Sequence, residues 1–164
     1  MTLEQIMILG IGSILFSDEG FGIRVIEELD RQYEFPENVS VVDGGVLGVH
    51  LLGVMSEADQ LIVIDAVKNK GNPGDLYRIE GKDLPERIRS KNSLHQIDFL
   101  ESLTLCQALD KVPETVVLGM EPLDIETLSV DMTDTGNSKI EPMIAQILLE
   151  LDRLDVCYLK KLPA

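Results

Sequence analysis

The sequence predicts an α/β fold, a single-domain twisted, mostly parallel sheet with helices on both faces. Three observations carry this. Short, nearly unbroken apolar runs recur at residues 5–11, 39–42 and 61–64, each leading into glycine or aspartate. Between the first two runs, and again near the C-terminus, apolar positions change to helical spacing. No repeat, low-complexity stretch or linker divides the 164 residues, a length that suits one domain of roughly 100–200 residues. A single domain over residues 1–164 is therefore expected.

Each element follows from local pattern. Ile6, Met7, Ile8, Leu9 and Ile11 run into Gly10-Ile11-Gly12, as a parallel strand buried on both faces does. Over 20–34, Phe21, Val25, Ile26, Leu29 and Tyr33 share one helical face, with Arg24, Glu27, Glu28 and Arg31 opposite, which predicts the first helix. Pro36 and Asn38 punctuate before a second strand that ends in Asp43-Gly44-Gly45. A short helix is expected over 46–55. Leu61-Ile62-Val63-Ile64 is the third strand and stops at Asp65. A polar turn over 68–74 leads to a strand at 75–80. One or two helical turns over 83–90, a helix over 97–109 and a strand at 116–118 follow. Ile140, Ile144, Ile147, Leu148, Leu151 and Leu154 define the last helix.

Charge and composition exclude several classes of function. Fourteen Lys and Arg against 29 Asp and Glu leave a formal net charge of −15, which opposes nucleic-acid and membrane-surface binding. A hydrophobic content of 45% with a mean hydropathy of +0.11 is enough for a packed core. No apolar run approaches the roughly 20 residues that span a bilayer, and the first residues lack a basic signal region, so a cytoplasmic protein is expected. Cys106 and Cys157 join no CxxC or Cys–His cluster and read as reduced thiols. Between Lys111 and Lys139 lie Glu114, Glu121, Asp124, Glu126, Asp131 and Asp134 without a basic residue. These are expected to form a solvated face or to dock a basic patch. Lys82, Arg87, Arg89 and Lys91 gather just before His95.

In a doubly wound sheet, ligands sit beyond the carboxyl ends of the strands where strand order reverses. Asp18 and Glu19 follow the first strand, Asp43 the second and Asp65 the third. Each alone suits a cap or turn, yet Glu19 and Asp65 are expected to face each other across the switch point. His95 adds an imidazole, and two carboxylates with one imidazole suit a divalent transition metal with open positions. A rival reading starts from Gly10-x-Gly12 and Asp43, which imitate a dinucleotide-binding fingerprint. Leu15 breaks that pattern, and Asp18 and Glu19 would repel a pyrophosphate. There is no Walker loop, HExxH helix or GxSxG elbow. His50, within Val49-His50-Leu51-Leu52, reads as a packing residue.

The run Gly10-Ile11-Gly12-Ser13-Ile14-Leu15-Phe16-Ser17-Asp18-Glu19-Gly20-Phe21-Gly22-Ile23-Arg24 resembles the N-terminal signature of the hydrogenase maturation endopeptidases. Asp43-Gly44-Gly45, Leu61-Ile62-Val63-Ile64-Asp65-Ala66, Ser93-Leu94-His95-Gln96 and Gly119-Met120-Glu121-Pro122 resemble later blocks of that family in the same order. The resemblance implies an endopeptidase that clips a C-terminal extension from a nickel–iron hydrogenase large-subunit precursor after nickel insertion. It implies that Glu19, Asp65 and His95 contact nickel carried by the substrate, and that Asp43 contributes to catalysis or shapes the cleft. The implied partner is the nickel-loaded precursor, with no nucleic acid and no membrane. One departure is Ser13, where the family commonly has Asn. Two alternatives stand beside this reading: a non-enzymatic nickel-delivery or checkpoint protein using the same trio, and a nucleotide-binding domain.

Overall fold

The computed structural model describes residues 3–46, 55–80 and 113–163. The helices expected at 83–90 and 97–109, most of that at 46–55, and with them His50, His95 and Cys106, lie outside the described residues. Labels below count described elements only.

β1 (Ile6–Gly10), β3 (Val39–Asp43), β4 (Gln60–Ala66) and β6 (Glu114–Met120) pair in parallel, and β5 (Leu76–Glu80) closes the edge antiparallel to β6. The order is β3-β1-β4-β6-β5. All five residues of β1 and the five from Leu61 to Asp65 are buried, which is why these strands read as unbroken apolar runs rather than alternating ones. Their side chains divide by parity between two cores. Ile6, Ile8, Ile62, Ile64, Val116 and Leu118 pack against α1 (Phe21–Gln32) and α3 (Ile140–Arg153). Met7, Leu9, Leu61, Val63 and Val117 form the opposite core with Met55 and Ala58. α1 presents Phe21, Val25, Ile26 and Leu29 to the first core, and α3 presents Met143, Ile144, Ile147 and Leu151. A short helix, α2 (Asp134–Ser138), precedes α3.

One boundary differs from expectation. Tyr33 continues the helical pattern of α1, but the helix stops at Gln32 and Tyr33 is extended, with φ −130° and ψ 151°. β2 (Tyr33–Glu34) pairs antiparallel with β7 (Leu159–Lys160), Tyr33 opposite Lys160. The Tyr33 ring meets Tyr158 edge-on at 5.8 Å and stacks on Phe35 at 6.5 Å. Pro36 disfavours helix at the residue before it, and pairing with the C-terminal segment supplies the alternative.

Candidate active site

The chain leaves β1, crosses through α1 to β3 on one side, and returns to β4 on the other, so strand order reverses between β1 and β4. That is the crevice where a ligand is expected. Here the Ile11 amide donates to the Ile64 carbonyl at 2.9 Å, just past the last paired residues of β1. α1 begins directly on top of this junction. A Cβ at Gly22 would lie 2.2 Å from the Ile64 carbonyl oxygen and 2.5 Å from that of Ile11, so only glycine allows the helix to approach this closely.

Glu19 sits in the 3-10 turn Ser17–Gly20 that feeds α1. Its carbonyl accepts from the Ser13 amide at 3.2 Å, and its own amide donates to the Phe16 carbonyl at 3.1 Å. The loop therefore folds back onto Gly12, whose φ of +139° no L side chain adopts readily and whose missing Cβ would stand 2.0 Å from the Glu19 carbonyl oxygen. Ser17 holds a left-handed φ of 52° while buried, a local strain of the kind that collects at functional turns. Ser13 acts as a turn residue, its Oγ accepting from the Leu15 amide at 3.4 Å.

Asp65 is buried near the end of β4, 7% exposed. Parity with Leu61 and Val63 turns it toward the sheet face opposite α1. Across the sheet it pairs with Gly119 of β6. Asp43 ends β3 level with Gly10, and its Oδ1 accepts from the Gly45 amide at 2.9 Å, closing the turn after the strand. The structure thus folds the turn that carries Glu19 back onto Gly12 just beyond β1, sets Asp65 near the end of β4, and gives Asp43 a turn-closing contact one strand away. His95 lies outside the described residues. Among the described residues no three His, Cys, Asp or Glu side chains gather closely enough for a metal ion, so a three-ligand set would need a residue from elsewhere in the chain.

Two acids that flank this region have structural roles. Asp18 is fully buried and accepts from the Leu123, Asp124 and Thr133 amides and from the Thr133 hydroxyl. Glu121, expected on a solvated acidic face, is instead 5% exposed. Its carboxylate accepts from the Asn69 amide at 2.9 Å, the Gly71 amide at 2.5 Å and the Tyr77 hydroxyl at 3.1 Å. It ties the polar turn after β4 to the end of β6. A carboxylate removed from water must collect hydrogen bonds, and both acids satisfy themselves with loop amides distant in sequence. The only local hint was their placement beside glycine- and proline-rich turns.

The strand order and the helices packed on the sheet define a small doubly wound α/β protein. The family model described as hydrogenase maturation protease matches residues 23–150. A hydrogenase expression/formation protein from Bradyrhizobium diazoefficiens is 40% identical over 90% of this chain and 79% of its own length. The hydrogenase 2 maturation protease of Escherichia coli is 34% identical over 90% of each chain. Among solved structures, a hydrogenase maturating endopeptidase from Escherichia coli superposes with a TM-score of 0.90 at 32% identity, covering 96% of this chain and 98% of that one. The chain belongs to the hydrogenase maturation protease family. It is a peptidase, which sets aside the non-enzymatic and nucleotide-binding alternatives.

Proposed function

We propose that this chain removes the C-terminal extension of a nickel–iron hydrogenase large-subunit precursor once nickel has been inserted, and that substrate-borne nickel is the element it recognises. The observation that supports this best is the placement of the Glu19 turn and Asp65 at the β1/β4 switch point. With His95 they supply two carboxylates and an imidazole, donors suited to a divalent transition ion already held by thiolates. The nickel belongs to the substrate, so the trio reads a loaded precursor rather than keeping a resident ion. Contact with it turns a loosely held tail into a positioned amide at the strand ends, which is where such an arrangement gains rate.

Hydrolysis then adds water across the scissile C–N bond. The oxygen goes to the carbonyl carbon, one proton goes to the leaving amine, and a carboxylate at the crevice serves as the proton acceptor during attack. Asp43 shapes the neighbouring turn of the cleft. Cytoplasmic action belongs to the same proposal; among the described residues no helix is long and apolar enough to cross a membrane. The test is mass spectrometry of purified precursor after incubation. Nickel-loaded precursor is shortened at its C-terminus, nickel-free precursor is not, and Asp65→Ala and His95→Ala stop cleavage while the variants remain folded by circular dichroism. Equal cutting of nickel-free precursor overturns the recognition role of nickel.

A further inference from the structure

Ten large apolar side chains are exposed among the described residues, and six of them belong to two loops: Ile14, Leu15, Phe16, Leu123, Leu128 and Val130. Their exposure runs from 37% for Ile14 to 74% for Leu128. The loops are joined by backbone hydrogen bonds. The Ser17 amide donates to the Ser129 carbonyl and the Ser129 amide to the Leu15 carbonyl, both at 2.8 Å, and the Asp18 amide donates to the Asp124 carbonyl at 2.9 Å. The buried Asp18 carboxylate pins the second loop from beneath. These apolar groups are held in water by a fixed scaffold, and a concentration of exposed apolar surface of this kind marks an interaction site.

Two further observations say what covers it. The patch adjoins the turn that carries Glu19, because the Phe16 carbonyl accepts from the Glu19 amide at 3.1 Å. It is also rimmed by acids. Asp124, Glu126, Asp131 and Asp134 lie on the second loop and at the start of α2, and no Lys or Arg occurs from 113 to 138. The Asp124 carboxyl is held below its ordinary range by hydrogen bonds from the Thr127 hydroxyl, the Thr127 amide and the Glu126 amide. Among the described residues a neighbouring cation is Arg24, which donates to the Val130 carbonyl at 3.1 Å and pairs with Glu27 at 3.2 Å.

We propose that this loop pair is a docking surface for the polypeptide substrate, taking from the large-subunit precursor a segment with apolar side chains flanked by lysine or arginine. The proposal rests on the function proposed above and deepens it. Apolar contact supplies affinity beside the cleft, and the acidic rim favours a cationic partner and speeds its approach. Docking here adds binding energy remote from the reacting bond, so it governs KM and affinity rather than the chemical step.

The experiment uses the full chain and purified nickel-loaded precursor carrying a fluorescent label, with affinity read by anisotropy and cleavage by steady-state kinetics. The variants are Leu128→Ser with Val130→Ser, and Glu126→Lys with Asp131→Lys; Leu149→Ser, exposed on α3, is the control. Each pair is expected to weaken binding and raise KM by about fivefold to tenfold, leaving kcat within about twofold. The charge-reversed pair should also flatten the salt dependence of binding, and the control should match wild type. Unchanged affinity and KM in both pairs overturn the proposal. Loss of a wild-type dimer in the apolar pair, seen by sedimentation, overturns it in favour of a second copy of this chain. Patch-dependent binding of a precursor that is never cut supports the docking surface and overturns the proposed function instead; wild type that neither binds nor cuts the precursor overturns both.

Discussion

The Thr133 hydroxyl lies 2.9 Å from both carboxylate oxygens of Asp18, while the Thr133 amide donates to Asp18 Oδ1 at 3.0 Å. The same hydroxyl caps α2 by accepting from the Gly136 amide at 3.1 Å. One side chain thus joins the turn that carries Glu19 to the helix preceding α3, 115 residues on. Thr133→Val keeps the shape and removes both hydroxyl contacts. It is expected to cost about 1–2 kcal/mol in urea denaturation, combining a lost charge-assisted hydrogen bond with a lost cap. Asp18→Ala, which strands three part-buried amide donors and empties a fully buried site, should cost about 3 kcal/mol.

Gly22 gives a sharper test of how the crevice is built. Its absent Cβ would fall within 2.5 Å of two backbone carbonyls, those of Ile11 and Ile64, and backbone cannot swing aside as a side chain can. Gly22→Ala improves intrinsic helix propensity within α1, yet it is expected to destabilise the protein by about 1–3 kcal/mol because α1 must lift from the strand ends. Thermal denaturation gives the sign. A stabilised variant would show that the close approach of α1 to β1 and β4 is not required.

How far the fold was legible depends on where each residue finds its partners. β1 and β4 are buried on both faces, so their unbroken apolar runs mark them in the sequence, and the strand order sets the ends of β1 and β4 side by side at the switch point. Tyr33 misled because its helical spacing is real; what extends it is pairing with Lys160, which no local window contains. Glu121 reads as part of a solvated face because acids are usually exposed. Its partners Asn69, Gly71 and Tyr77 stand 44 to 52 residues earlier in the chain. Asp18 reads as one more strand-end acid, and its burial depends on a loop more than 100 residues away. Local pattern therefore revealed which acids lie at strand ends but not which of them are occupied in holding loops together.

The Tyr77–Glu121 contact predicts an alkaline signature. Burial, the hydrogen bond to Glu121 and the charges of Glu121 and Asp75 push the Tyr77 hydroxyl from 10.0 up to about 12. A raised folded pKa means that the native state holds this proton more tightly than the unfolded chain. The resulting stability is fully present below pH 10 and is lost as pH rises through about 12. Tyr77→Phe is expected to cost about 1 kcal/mol at neutral pH. Its deficit against wild type should shrink steadily across that alkaline window, measured by urea midpoints at each pH. A constant deficit would show that the Tyr77 proton is not linked to folding.

The strongest ion-pair prediction concerns Glu150, an acid on the buried face of α3 with only 7% exposure. Its Oε1 accepts from Arg78 Nε at 2.5 Å and from Arg153 Nη1 at 2.8 Å, and its Oε2 from Arg78 Nη2 at 3.3 Å. Arg78 comes from β5, so this pair fastens the antiparallel edge strand to the last helix; Arg153 sits one turn along α3 and is mostly solvated. The Arg78 guanidinium is held above its ordinary range, chiefly by the hydrogen bond to Glu150. Arg78→Ala removes two donors from a buried carboxylate and should cost about 2 kcal/mol, whereas Arg153→Ala removes a surface contact worth about 0.5 kcal/mol. Replacing both charges together, as Arg78→Met with Glu150→Leu, should recover most of the Arg78→Ala loss, since a well-packed apolar pair replaces a buried ion pair at little net cost. Denaturant midpoints for the single and double variants measure each step, and equal losses for Arg78→Ala and Arg153→Ala would show that the strand-to-helix link carries no special weight.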